Sequence, residues 1–335
     1  MSSITIQPVL PQAGVRGGHI QVPCQGLDME TLDTCELYFG ITATRPALAS
    51  SSVVLGVVPR DADGTGLQIQ QNGNRSNVVP FTTAQLLAEN LHPVANPAVD
   101  RNGAIYTTIS GSKGQQVPVS VYRISPHGEA EPFASGIANA TALAFAPDGD
   151  LYVSSRHTGK IVRVDNNGTV SSVAENLGIV TGIAFDSQGR LHAGDRRGTI
   201  YQLTGRGEPR PLVKLPPSIS AYHLAFDQQD RMYVTYPTLS GYDNLYMITS
   251  DGERQTLVTG LGRPQGLAFD HQQNLYVVSH VGGEGGVFRR TPDGELEQVV
   301  AGVNLVGIAF GMDTELILTD NSAVYKLDMG GQGQS

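Results

Sequence analysis

Short apolar runs alternate with polar turn residues along most of this chain, and one run returns at a regular interval. It reads Ala142-Leu143-Ala144-Phe145, Gly182-Ile183-Ala184-Phe185, His223-Leu224-Ala225-Phe226, Gly266-Leu267-Ala268-Phe269 and Gly307-Ile308-Ala309-Phe310. The phenylalanines step by 40, 41, 43 and 41 residues, and a degenerate copy, Asn96-Pro97-Ala98-Val99-Asp100, places Val99 46 residues before Phe145. Self-similarity at this period marks a repeat fold in which each unit leaves a face for its neighbour to cover. No stretch carries a long helical apolar period.

Each unit parses into four strands. In the second unit these are Ala142–Phe145, Leu151–Ser154, Lys160–Val164 and Val170–Val173, with turns at Asp148-Gly149 and Asn167-Gly168. Asp-Gly and Asn-Gly are hairpin signals because both residues tolerate positive φ. The outer turn recurs at His127-Gly128, Arg206-Gly207, Asp251-Gly252 and Asp293-Gly294. The second strand repeats a tyrosine at Tyr106, Tyr152, Tyr233 and Tyr276; His192 takes that place in unit three and is expected to pack inside its sheet. Four antiparallel strands per unit of this length make a propeller blade. The sixth unit, ending at Val324–Leu327, lacks a fourth strand, whereas Gln85–Glu89 reads as an orphan fourth strand ahead of the first unit. The expectation is an all-β chain with a six-bladed β-propeller over 85–330, closed by 85–89, and a disordered tail at 331–335.

Residues 1–84 lack the repeat and read as short strands, Ile4–Gln7, His19–Pro23, Cys35–Phe39, Val53–Val58 and Gly66–Gln71, among glycine turns that include Asp63-Gly64. This pattern predicts a β-sandwich. Pro11, Gly14, Gly17-Gly18, Ile20, Gly26, Tyr38-Phe39-Gly40, Val57-Val58-Pro59, Gly66 and Asn77-Val78-Val79-Pro80-Phe81 together resemble the IPT/TIG immunoglobulin-like domains. The resemblance implies a spacer or docking module and carries over no catalytic residue.

The repeat over 85–328 resembles the NHL-repeat and senescence-marker/gluconolactonase-like propellers. Gluconolactonase-like enzymes imply a divalent cation on the channel axis, held by a Glu, an Asn and an Asp. Only Asp195 and Asp320 fit the aspartate place; the asparagine place reads Thr141, Thr181, Tyr222, Gln265 and Val306. Oxygen donors suit calcium, magnesium or manganese. Amidating lyases, a second NHL-type group, imply zinc on three histidines; His157 and His223 are suitably spaced, and unit six offers Asp320.

In a propeller the connections between units and those joining second to third strands share one face, here the top. The second-to-third connections are long at Ser110–Pro118, Tyr236–Asn244 and His280–Gly286, which makes the top the expected binding face. His223, His157 and His280 are the candidates for acid/base chemistry. Tyr222, Arg156, Arg196, Tyr236, Gln265, Asn96 and Glu284 are candidates for ligand contact, and Asp195 and Asp320 for a metal or for capping the next hairpin. His127 and His271 fall on bottom turns and are expected to be inert. Arg156, Arg196, Arg197 and Arg263 all map to top-face loops, and arginine forks suit carboxylates and phosphates.

Composition narrows the classes. The 335 residues include 40 glycines and 19 prolines, which favours strands and tight turns. A net charge of −9 argues against wholesale nucleic-acid binding. No apolar run approaches the ~20 residues of a membrane span. The amino terminus carries no basic or apolar leader, so the chain reads as cytoplasmic as written, or as exported if a leader has been removed. Cys24 and Cys35 read as buried thiols in a reducing compartment or, after export, as a disulfide. Two functions stay open: a binding protein for a small, anionic molecule or a protein partner at the channel mouth, and a hydrolase or lyase using the top-face His and Asp residues.

Overall fold

The computed structural model describes residues 3–62, 64–203, 208–291, 293–312 and 314–330. The Arg206-Gly207 turn, Asp63 of the Asp63-Gly64 turn and the 331–335 tail lie outside these residues. Strands dominate; among the described residues the one helical element is a short 3₁₀ turn at Leu32–Thr34. No described helix is long and apolar enough to cross a membrane.

The repeats form six antiparallel four-stranded units. Unit one holds Ala98–Val99, Ile105–Thr108, Val121–Ile124 and Ala130–Ala134. Unit two holds Ala140–Phe145, Leu151–Ser155, Lys160–Val164 and Val170–Ala174. Unit three runs Val180–Phe185, Leu191–Asp195, Thr199–Leu203 and Pro209–Lys214, and unit four His223–Phe226, Met232–Thr235, Asp243–Ile248 and Arg254–Leu261. Unit five holds Leu267–Phe269, Leu275–Val281, Glu284–Arg290 and Leu296–Ala301. Unit six takes Leu305–Phe310, Glu315–Asp320 and Ala323–Asp328, with Gln85–Glu89 as its outer strand. The pairing that completes unit six is antiparallel, Gln85 opposite Lys326 and Glu89 opposite Ala323. First strands of consecutive units touch, and those of units six and one touch as well, so the units form a closed cycle.

The recurring residues explain the cycle. Four of the five first-strand phenylalanines meet the second-strand tyrosine of the preceding unit edge-on: Tyr106–Phe145 at 5.2 Å, Tyr152–Phe185 at 5.0 Å, Tyr233–Phe269 at 4.9 Å and Tyr276–Phe310 at 4.9 Å between centroids. Such pairs contribute about 0.5–1.5 kcal/mol each beyond the area they bury. His192 fills the tyrosine place in unit three, with its ring 4.8 Å from Phe226 and Nε2 3.2 Å from Asp186 Oδ2. In units three, four and five an aspartate follows the phenylalanine and builds the bottom turn. Asp227 Oδ1 accepts the Gln229 and Arg231 amides, and its Oδ2 accepts the Tyr233 hydroxyl at 3.1 Å. In the outer turns, Gly168 has φ +79° and a Cβ there would meet the Phe133 carbonyl of unit one at 2.1 Å. Conformation and space thus both demand glycine.

The amino-terminal strands make two facing layers. One orders Thr5–Ile6, His19–Gln25, Val53–Val57 and Leu48–Ala49; the other contains Ala13–Gly14, Val79–Thr83, Thr65–Gln71, Glu36–Phe39 and Thr42–Thr44. Ile20, Val22 and Val54 from the first share a core with Leu37, Phe39, Ile69 and Phe81 from the second. Cys24 and Cys35 are buried free thiols, and burial pushes the Cys35 thiol up to about 11. The two regions are not separate sheets. Ala13–Gly14 runs parallel to the outer strand of unit five, with Gly14 opposite Ala301, so the second layer continues into that unit.

Candidate functional site

At the heads of the first strands of units three to six, hydroxyls and backbone amides stitch one unit to the next. Thr181 Oγ1 of unit three accepts the Tyr222 amide of unit four at 3.0 Å. Thr235 Oγ1 donates to the Gln265 carbonyl at 2.6 Å, and Gly266 N–H donates to Val306 O at 3.3 Å. This ring surrounds a cavity of about 430 Å³ that runs from Asn96, Tyr222 and His223 at the top to His271 and the phenylalanines at the bottom. Its wall is mostly alanine, phenylalanine, leucine and isoleucine, so polar chemistry concentrates at the head.

His223 is the exceptional group there. It is only 3% exposed, and its Nε2 is buried with no hydrogen-bond partner. Burial pushes its pKa down to about 4, against a weaker opposing effect of the Gln265 side chain. The imidazole is therefore neutral at pH 7. Three other units carry glycine at this place, and there the next unit's backbone fills the space: a Cβ on Gly182 would stand 2.3 Å from Tyr222 O.

Several candidates spend their polar atoms on structure. Asn96 is a strut: Nδ2 donates to Leu267 O at 3.0 Å in unit five, and Oδ1 accepts the Ile308 amide at 3.1 Å in unit six. Tyr222 donates its hydroxyl to Pro216 O and packs its ring 4.5 Å from that of Tyr236. Burial raises the pKa of both tyrosines. Glu284 Oε1 accepts from Gln21 Nε2 of the amino-terminal layers at 3.3 Å, so those layers reach the top face at unit five. Gln265 and His280 line a second cavity of about 420 Å³ between units five and six, with Arg263, Asn304 and Asn321. His157 is exposed and lies against the loop at Gly114 of unit one.

Asp320 caps the hairpin that follows it, whereas Asp195 holds the connection ahead of unit three. Asp195 Oδ1 accepts the Ile179 amide at 2.8 Å. Asp320 Oδ1 accepts the Ser322 and Ala323 amides, both at 2.7 Å, and Oδ2 accepts the Tyr325 hydroxyl at 2.7 Å. They stand in units three and six. Among the described residues no three His, Cys, Asp or Glu side chains group as a metal ion requires. This donor set does not fit a zinc, calcium, magnesium or manganese ion.

Arg156 and Arg196 occupy equivalent places after the second strands of units two and three, and both are half-buried. Arg196 donates Nε to Ser218 O at 3.1 Å and an Nη to Ile219 O at 2.5 Å. Arg156 reaches only Gly111 O, at 3.5 Å. Burial, then the nearby Arg196 charge, lowers the Arg156 pKa. Ion pairs among the described residues leave both arginines out.

Sequence reading had no signal for Arg16. Its Nη1 meets Glu89 Oε1 at 2.9 Å, Nη2 stands 3.7 Å from Asp320, and the guanidinium lies over the Tyr325 ring at 5.2 Å. Arg60 also pairs with Glu89, at 2.8 Å. These contacts clasp the outer strand of unit six to the amino-terminal layers.

Solved structures share this arrangement at low identity. A protein of unknown function from Bacteroides thetaiotaomicron is 13% identical, with 97% of this chain and 98% of that one covered and a TM-score of 0.59. An auxiliary nutrient binding protein from Bacteroides ovatus is 12% identical over 97% of this chain and 98% of that one, with a TM-score of 0.53. Virginiamycin B lyase from Staphylococcus aureus is 18% identical over 73% of this chain and 87% of that one, with a TM-score of 0.52. At such identities the likeness speaks for the fold alone. No curated protein matches the chain. The family described as SMP-30/Gluconolactonase/LRE-like region matches residues 65–238, from the amino-terminal layers to the second strand of unit four and the loop after it. With more than half of its length matched and its repeats closed into one cycle, the chain belongs to the SMP-30/gluconolactonase/LRE-like β-propeller family.

Proposed function

We propose that this chain is a binding protein: a six-bladed propeller that takes a small anionic molecule on its top face, fronted by an IPT/TIG-like module that serves as spacer or docking domain. The observation that carries the reading is the pair Arg156 and Arg196. Two half-buried guanidiniums on consecutive units, neither in an ion pair among the described residues, repel each other. A carboxylate or phosphate relieves that repulsion and meets planar donors suited to it. The two facing layers over residues 3–83, with their shared core, support the module reading.

A hydrolase or lyase is the second reading, and His223 favours it: a neutral imidazole with an unpartnered Nε2 beside the channel is built to accept a hydrogen bond or a proton. A pKa of about 4 makes it a weak base at neutral pH, so binding is the better-supported function. Calorimetric titration with succinate and with inorganic phosphate tests the choice. Binding is expected to weaken about tenfold or more in Arg156→Ala and in Arg196→Ala, to decline with salt, and to persist in His223→Gln. Failure of both anions to bind the wild-type protein at about 10 mM rejects the binding site.

A further inference from the structure

We propose a second ligand site, on the rim of unit four, that takes a small organic ammonium. It adjoins the anion site through Ser218 and Ile219, whose carbonyls Arg196 holds, and has the opposite charge preference. The connection between the second and third strands of this unit lies beside the loop that carries Pro216 and Pro217, and together they enclose a cavity of about 490 Å³. Tyr236 and Tyr246 contribute stacked rings, 5.8 Å apart at 17°. Tyr242 and Leu239, also in the wall, are 79% and 91% exposed, a large apolar display for a polar loop.

Asp243 gives the cavity its preference. It is 3% exposed. Its Oδ1 accepts the Thr238 amide at 3.0 Å and the Thr238 hydroxyl at 2.6 Å. Its Oδ2 is buried without a hydrogen-bond partner. A carboxylate oxygen taken from water and given no donor is costly, and a ligand that brings N–H groups and a positive charge removes the cost. Two cations border this wall without pairing with Asp243: Arg254 lies over the Tyr246 ring at 5.1 Å, and Arg196 donates to Ser218 O and Ile219 O. Tyr236 and Tyr246 pack against each other and against Tyr222 and Arg254, so the exposed Tyr242 is the ring that offers a face to an alkylammonium group, and the carboxylate repels anions. A neutral alcohol of the same shape supplies one weak donor and no charge.

Titration calorimetry with n-butylammonium chloride, and with n-butanol as the neutral isostere, reads the proposal directly. The wild-type protein should bind the ammonium and not the alcohol. Asp243→Asn keeps an acceptor for Thr238 but removes the charge, and should weaken ammonium binding about tenfold or more. Tyr242→Ala alters only an exposed side chain; it should weaken binding about threefold with an unchanged melting curve. Absence of ammonium binding at about 10 mM, equal binding of the alcohol, or full affinity in Asp243→Asn overturns the proposal. If Asp243→Asn does not fold, the ammonium/alcohol contrast and Tyr242→Ala decide it.

Discussion

Replacing Asn96 by alanine separates a structural head of the channel from a ligand-binding one. The side chain joins units five and six through two hydrogen bonds, while its own backbone leads into unit one. Neighbouring glycines make room for it: a Cβ on Gly266 would fall 2.0 Å from Asn96 Oδ1, and one on Gly307 would fall 2.8 Å from its Cα. Alanine leaves the Leu267 carbonyl and the Ile308 amide without these partners. Each lost bond costs about 1 kcal/mol net, and an unsatisfied buried group about 1–3 kcal/mol, so Asn96→Ala should destabilise by about 2–4 kcal/mol. Urea unfolding followed by circular dichroism measures it. A loss below about 0.5 kcal/mol, within the range of neutral surface changes, refutes the strut. Asn96→Asp sharpens the test, because the carboxylate still accepts from Ile308 but turns an oxygen on the Leu267 carbonyl. The folded state then favours the protonated acid and raises its pKa above the usual value of about 3.9. The deficit of this variant should be small in acid and grow as pH rises through the folded pKa. A deficit that does not change with pH contradicts the geometry.

Two further outcomes follow from the same head. His223 has a folded pKa of about 4, below the usual value of about 6.5, so the unfolded chain takes the proton first. Its contribution is present above about pH 6.5 and is lost as pH falls toward the folded value, by about 3 kcal/mol at most; His223→Gln should flatten unfolding midpoints across that window, and an unchanged slope would count against a buried neutral imidazole. Gly182→Ala should cost about 1–3 kcal/mol by overpacking, because its Cβ would meet the Tyr222 backbone at 2.3 Å; a melting temperature equal to wild type would show that units three and four are not so closely apposed.

Most of the fold was legible because its determinants repeat. The phenylalanine recurs in five units, the aspartate after it in three and the tyrosine of the next strand in four, at near-constant separations, and each finds its partner within its own unit or the adjacent one. The outer strand of unit six was legible for the same reason: Gln85–Glu89 resembles the fourth strand of unit two and pairs as such a strand must. The site was less legible. Asn96, Tyr222 and Glu284 read from sequence as ligand contacts, yet Leu267, Pro216 and Gln21 occupy their donors and acceptors. Asp243 was overlooked because nothing in its local sequence shows that only one of its oxygens finds a donor.

The sequence by itself determined the strand order, the turn chemistry and the number of repeats, since period and glycine placement are local properties of the chain. Only the tertiary structure decided which polar atoms are free. The Arg16–Glu89 clasp, the Gly14–Ala301 pairing and the bare Nε2 of His223 depend on segments distant in sequence. Hydrogen bonding between such segments follows from how closely whole units pack, which local composition does not encode.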